Sequence, residues 1–392
     1  MSVLKWTWVL LPVMMSLILL SSCNTGGGSS TTIVVVWNSN EDLDGAGTDL
    51  DIFFSRSTDG GASWSAVKVL NSNAASDETA WDYFPGTMTD GNGTWVAAWY
   101  SSADIDYAGT DLDILFSRST DDGVPWSGPH LLDSNATSGT GEDRLPSVMT
   151  DGSGTWVTVW RSMEIFNDSG IDRDIFFSRS TDNGASWSAS QVLGSANTDS
   201  DERPVVMTDG NGTWVTAWFS NEDLDGAGAD NDIFFSRSID NSATWGESQL
   251  LNSNATTDET TDDDWHPVLM TDGDGTWIAA WNYFDGATDT DIRYARSTNG
   301  GASWSTPQAL NSNAAQVTGT NKWTGLDIRP ILLPSGAEGW TAVWLSNEDL
   351  NVAGTDLDIF FSRSVNGGVS WGASQALNSN AATDTGDDGY LD

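Results

Sequence analysis

Apolar residues in this chain gather in short runs separated by Gly, Asp, Asn and Ser, and the stretch Arg203–Asn252 displays one full cycle. Arg203-Pro-Val-Val-Met-Thr208 predicts a first strand. Asp209-Gly-Asn-Gly212 predicts a tight turn, because Asp bonds its own downstream amides and Gly takes positive φ freely. Thr213-Trp-Val-Thr-Ala-Trp218 predicts a second strand, Asn221–Asn231 a long acidic loop, and Asp232-Ile-Phe-Phe-Ser-Arg237 a third strand. Gln249-Leu-Leu-Asn252 predicts a short outer strand. The second and third strands are apolar on both faces, the pattern of a sheet packed between two neighbours. No helical period follows residue 22, so an all-β chain is expected.

The cycle repeats. Its most constant part is Arg56-Ser-Thr-Asp-Gly-Gly-Ala-Ser-Trp-Ser65, which returns at Arg118–Ser127, Arg179–Ser188, Arg237–Gly246, Arg296–Ser305 and Arg363–Gly372, with tryptophans about 60 residues apart. Ser-x-Asp-x-Gly-x-x-Trp in these copies resembles the Asp-box (BNR) motif of sialidase-like β-propellers, and the resemblance runs from Ile33 to the C-terminus. Asp59 with Trp64, Asp121 with Trp126 and Asp182 with Trp187 match in full. The fourth copy, Asp240 with Trp245, has Ser242 for the Gly, and Asn299 with Trp304 and Asn366 with Trp371 replace the Asp. The resemblance implies that the box is a structural turn on the face away from the family's active site.

Four antiparallel strands repeated six times around an axis predict a six-bladed β-propeller over residues 33–392. Inner-strand runs occur five times, near Phe84, Arg144, Arg203, His266 and Arg329, and the first blade opens directly on Ile33-Val-Val-Val-Trp37. That blade is therefore expected to lack its inner strand. Either the chain stops one strand short, or Tyr390–Asp392 supplies a stunted closure. Strand direction puts the boxes and the Gly-rich turns at one pole. The acidic loops and the connections between blades share the other, where function is expected because loops there are long and free to vary.

Residues 1–22 read as a signal peptide, with Lys5, an apolar run to Leu20 and small residues after it. Leu20-Ser-Ser-Cys23 resembles a bacterial lipobox, and Cys23 is the only cysteine. Lipidation of Cys23, followed by a flexible tether over 23–32, implies an envelope protein held to a membrane through its lipid anchor alone, at the outer membrane or secreted. The net charge of −41 repels phosphate backbones, so nucleic acid is excluded as a partner and a monomer is expected. The 56 Asp and Glu residues also suit a cation-rich medium or bound divalent ions.

Three sets of residues could carry chemistry. The first is arginine at the starts of inner strands: Arg144-Leu-Pro146 resembles the Arg-Ile-Pro of sialidases, which grip a substrate carboxylate with three arginines, and Arg203-Pro204 and Arg329-Pro330 resemble it in part. Arg161 ends a second strand, so Arg144, Arg161 and Arg203 are expected to cluster. Arg144, Arg203 and Arg329 also read as equivalent repeat positions, which leaves internal salt bridges as the other reading. A sialidase needs a tyrosine nucleophile with a carboxylate partner; Tyr283, placed in the fifth acidic loop beside Asp285, is the one tyrosine considered.

The second set is the acidic loops Asn40–Asp51 and Asn221–Asp232, where Asp42, Asp44, Asp49, Asp223, Asp225 and Asp230 flank a glycine bend and could hold Ca²⁺, or could simply be solvated. The third is surface aromatics, Trp81, Tyr83, Phe84, Trp265 and Trp323, as plates for sugar rings or as plugs for the channel. These readings point to a propeller that binds a glycan or a surface protein, the alternative being exo-acting hydrolysis of terminal sialic acid or a related acidic sugar.

Overall fold

The computed structural model describes residues 32–381 apart from 78, 135, 137–140, 165–171, 195–198, 257–261, 287–288, 315–324, 337, 351–352, 354–355 and 379–380, together with the backbone of 15–16. Six antiparallel sheets follow one another in chain order, each with its strands adjacent in sequence order, and no helix crosses the described residues. The third blade is typical: inner strand Asp143–Thr150, second strand Trp156–Ser162, third strand Asp174–Ser180 and outer strand Gln191–Val192. The architecture is the expected six-bladed propeller. Inner strands begin one to three residues earlier than their Arg-Pro or His-Pro signatures suggest, because a buried Asp stands first or second in each: Asp82, Asp143, Asp201, Asp264 and Asp327. In the first blade the inner place holds, among the described residues, the two-residue strand Met15–Ser16, paired to Trp37 and Val36, from a stretch expected to lie outside the fold.

The second strands of blades two to six each carry a Trp at both ends of the apolar run, and Trp95, Trp99, Trp156, Trp160, Trp214, Trp218, Trp277, Trp281, Trp340 and Trp344 are all buried. These rings fill the space between consecutive sheets, which is why both faces of the strand are apolar. The box tryptophans cover the outer part of each boundary. Trp126, Trp187, Trp245, Trp304 and Trp371 meet Phe54, Phe116, Phe177, Phe235 and Tyr294 of the preceding blade edge to face at 5.7–6.1 Å.

The box arginines stitch the same boundaries. Nε of Arg118 donates to the Asn183 carbonyl at 2.7 Å, Arg179 to Asn241 at 2.9 Å and Arg237 to Gly300 at 2.6 Å. Ser242 fits the fourth box in place of Gly because its hydroxyl also meets Arg179 Nε, at 3.1 Å. The seam between the last blade and the first is less covered: Trp64 is 46% exposed, and the Arg363 guanidinium lies over Phe361.

Candidate functional site

The inner strands share a frame, Asp-x-x-Pro, that the sequence spells five times: Asp82 to Pro85, Asp143 to Pro146, Asp201 to Pro204, Asp264 to Pro267 and Asp327 to Pro330. The residue before each Pro (Phe84, Leu145, Arg203, His266 and Arg329) has φ between 49° and 57°. Such a value is costly for a bulky side chain and makes a bulge, and pairing with the second strand skips there in every case. The frame corrects one expectation. Arg203 and Arg329 are equivalent, but Arg144 sits one place earlier, level with Tyr83, Glu202, Trp265 and Ile328. Symmetry therefore does not explain Arg144.

Arg144, Arg161 and Arg203 do come together, joined by Arg173 at the start of the third strand. They line a cleft of about 580 Å³ at the loop-bearing pole of blades two to four, with Tyr100 and Phe219 among its walls. Arg144 stands across the strand pair from Arg161. Glu202 Oε1 receives Arg161 Nη1 at 3.0 Å and Arg173 Nη1 at 2.7 Å, and Arg144 Nη2 meets Glu142 Oε2 at 2.5 Å. Salt bridges thus hold Arg144, Arg161 and Arg173, of which only Arg144 is among the three arginines for which the sequence suggests them. Four guanidiniums converge in one cleft on a chain of net −41.

Aromatic rings continue the cleft. Tyr83 and Phe84 both stack on Tyr100, with centroids at 5.5 and 5.7 Å, and Trp81, 55% exposed, meets Tyr83 edge on. The Arg144 guanidinium lies 6.0 Å from the Tyr100 ring. A second hollow of about 800 Å³, lined by Trp81, Tyr83, Tyr100 and Arg144, shares two residues with the first, so the pair form one groove. Burial pushes the Tyr100 hydroxyl up to about 12 against the pull of Arg144, Arg161 and Arg203. His266 is held down to about 3 by burial and by the Arg203 and Arg329 guanidiniums, so it is neutral. Two other hollows, about 900 and 670 Å³, lie beneath the box tryptophans at the rim. Their walls are the repeated box and outer strand of successive blades, which marks them as architecture.

Other sequence candidates fall elsewhere. Arg329 lies in blade six, its amide donating to Asn282 Oδ1 at 2.9 Å. Tyr283 lies within the second strand Trp277–Phe284, not in a loop. It is buried, donates to Asp262 Oδ2 at 2.9 Å and carries the Arg293 guanidinium over its ring. Burial raises its hydroxyl, the opposite of what a nucleophile needs. Trp265 stacks on Phe284 in blade five, away from the groove. Trp323, Cys23 and Tyr390–Asp392 lie outside the described residues.

The proposed metal ligands do not form one cage. Asp42 and Asp223 each accept a hydrogen bond from the glycine five residues on, at 3.3 and 3.2 Å, and Asp44 pairs with Lys68 at 2.8 Å. Asp225 takes a left-handed turn, and Asp230 is buried, its carboxyl raised by that burial. Asp49 alone joins others, gathering with Asp51 and Asp77; a second group of three is Asp113, Asp133 and Asp143.

No protein-family model and no curated protein matches the sequence. Solved structures do resemble the fold. A PL25 polysaccharide lyase, an ulvan lyase bound to -[GlcA(1-4)Rha3S]-, superposes with a TM-score of 0.56 at 12% identity, over 88% of this chain and 81% of that one. A Hadza microbial sialidase gives 0.48 at 17% identity, over 84% of this chain and 66% of that one. A leech intramolecular trans-sialidase gives 0.47 at 12% identity, over 88% and 81%. At such identities the likeness is one of fold, and it is the sialidase-like propeller that the boxes imply.

Proposed function

We propose that this chain is an exported, lipid-held propeller whose groove between Trp81 and Arg203 binds an anionic saccharide. The observation that carries the reading is the convergence of Arg144, Arg161, Arg173 and Arg203 beside the stacked rings of Tyr83, Phe84 and Tyr100. Guanidiniums bond the paired oxygens of a carboxylate or sulfate, and rings take the apolar faces of sugars. Glu202 holds Arg161 and Arg173 in place before a ligand arrives, which lowers the entropy lost on binding. The shared fold with a lyase bound to a glucuronate and sulfated-rhamnose chain supports the same ligand class.

Screening acidic and neutral oligosaccharides on an array tests the proposal. Retention of uronate- or sulfate-bearing sugars is expected, with neutral ones passing through. Equal retention of both, or of neither, would overturn it. Turnover of a fluorogenic sialoside, abolished by Arg144→Ala, would instead favour the exo-glycosidase alternative. The anchor is tested separately: Cys23→Ser should move the protein from the membrane fraction to the soluble one.

A further inference from the structure

After blades one, four and five an asparagine at the end of the outer strand sits between two carboxylates, one opening a third strand and one at the start of the next inner strand, while after blade three the same place is Gly194. In blade one that side chain is Asn71. Its Nδ2 donates to Asp51 Oδ1 at 2.9 Å and to Asp82 Oδ2 at 2.8 Å, while its Oδ1 accepts from the Ile52 amide at 2.9 Å. Asn252 serves Asp232 and Asp264 in the same way at 2.7 and 2.6 Å, and Asn311 serves Asp291 and Asp327 at 2.7 and 2.8 Å. Both hydrogens of the amide are used, one for each carboxylate.

Between blades two and three this position is Asp133, flanked by Asp113 and Asp143. A carboxylate has no hydrogens to give. Asp113, Asp133 and Asp143 are 2%, 2% and 1% exposed, and one oxygen from each lies within 4.8 Å of the other two. Both oxygens of Asp133, Oδ2 of Asp113 and Oδ1 of Asp143 have no hydrogen-bond partner. Asp133 and Asp143 lie close enough to share a proton, which leaves Asp113 outside that pair. The neighbouring indole has let go as well. Trp99, Trp281 and Trp344 donate to their inner-strand Asp at 2.5–2.7 Å, whereas Trp160 Nε1 has no partner, as is also true of Trp218 Nε1 in blade four, where Gly194 replaces the asparagine.

We propose that Asp113, Asp133 and Asp143 form a binding site for a hard divalent cation of the Ca²⁺ class, buried at the boundary of blades two and three. Carboxylate oxygens around Ca²⁺ sit at about 2.3–2.6 Å from the ion, so ligand atoms up to about 5 Å apart share one sphere, as these do. A cation gives every unpartnered oxygen a partner and cancels most of the buried charge. A single proton on Asp133 would serve only one of its two neighbours. The other acidic group, Asp49 with Asp51 and Asp77, keeps Asn71 as its donor and so serves as an internal contrast. The site depends on nothing in the saccharide reading, although Asp143 directly precedes Arg144 of the groove.

The test uses the purified full-length protein and two variants, Asp133→Asn and Asp113→Asn. Terbium luminescence sensitised by tryptophan counts sites, and thermal unfolding in Ca²⁺ against EGTA reads their effect. Wild-type protein should gain a few degrees in Ca²⁺. Asp133→Asn restores the amide used in blades one, four and five, so it should lose one equivalent of Tb³⁺. Without metal, it should melt above the metal-free wild type. Asp113→Asn should also lose that equivalent without the gain in melting temperature. A wild type indifferent to Ca²⁺, or an Asp133→Asn protein with unchanged stoichiometry, would overturn the proposal; weak binding to the acidic surface survives both substitutions and so cannot mimic the loss.

Discussion

The two poles of the propeller are built on opposite plans. At the box pole the same contacts recur around the molecule: Asn183 and Asn241 each take a Trp Nε1 from their own blade, at 3.0 and 2.9 Å, and reach the turn of the preceding blade through a Thr hydroxyl. Asp182 and Asp240 accept bonds from the hydroxyls and amides of their own turns, as Asn299 does in theirs. At the loop pole, blades two to four break their own repeat. Arg144 stands where Tyr83, Glu202, Trp265 and Ile328 stand elsewhere, and Asp133 stands where asparagine is the rule. What recurs is fixed by packing, and what departs from the recurrence needs a reason of its own. Chemistry is sought in the departures.

The largest effect that bears on this contrast is in the repeated core. Trp218→Ala, removing a buried ring between blades, should cost about 3–5 kcal/mol and lower the unfolding midpoint measured by circular dichroism. At the groove, Arg161→Ala should weaken binding of an acidic oligosaccharide on the order of 10²-fold by calorimetry, since Arg161 is 6% exposed and held by Glu202. Equal losses of stability and binding in both variants would erase the distinction between the poles.

The pH response sharpens the contrast further. Burial pushes Asp51 up to about 7 and Asp82 up to about 8. Each then keeps its proton in the fold where the unfolded chain, titrating near 4, has lost it. The native state binds more protons across that window, so in chelator the midpoint should fall as pH rises from about 4 to about 8. The boxes act in the other direction. Ser186 and Ser63 hold Asp182 and Asp59 down to about 2, and their stabilisation is lost as pH falls from about 4 to about 2. Calorimetry from pH 2 to 9 should show a maximum near pH 4–5, and a midpoint still rising to pH 8 would contradict this balance. The smallest effect belongs to the box itself: Asp182→Asn should change stability at neutral pH by no more than about 0.5 kcal/mol, because Asn299 and Asn366 already make the same turn.

These differences mirror what the sequence could reveal. Six boxes and the apolar second strands were legible because each is a local pattern repeated along the chain. The meeting of Arg144, Arg161 and Arg203 was legible from strand order. Tyr100, Arg173 and Glu202 were not, because they reach the groove from three blades and no local spacing links them. The true frame of Arg144 was visible in Asp-x-x-Pro but hidden by the more familiar Arg-x-Pro. Tyr283 looked like a loop residue because Asp285-Gly286 follows it, yet its strand runs on to Phe284. Asp133 was visible too, since with Gly194 it departs from Leu70-Asn71, Leu251-Asn252, Leu310-Asn311 and Leu377-Asn378, but only the structure shows the two carboxylates it faces.

The central claim is that ligand chemistry sits where the repeat is broken. Its most direct test is a crystal structure of the protein soaked with a sulfated glucuronate oligosaccharide. The account expects sugar density between Tyr100 and Arg203, with an acidic group on the arginines. Density in the repeated hollows beneath Trp126 and Trp187, with the arginine groove empty, would contradict it.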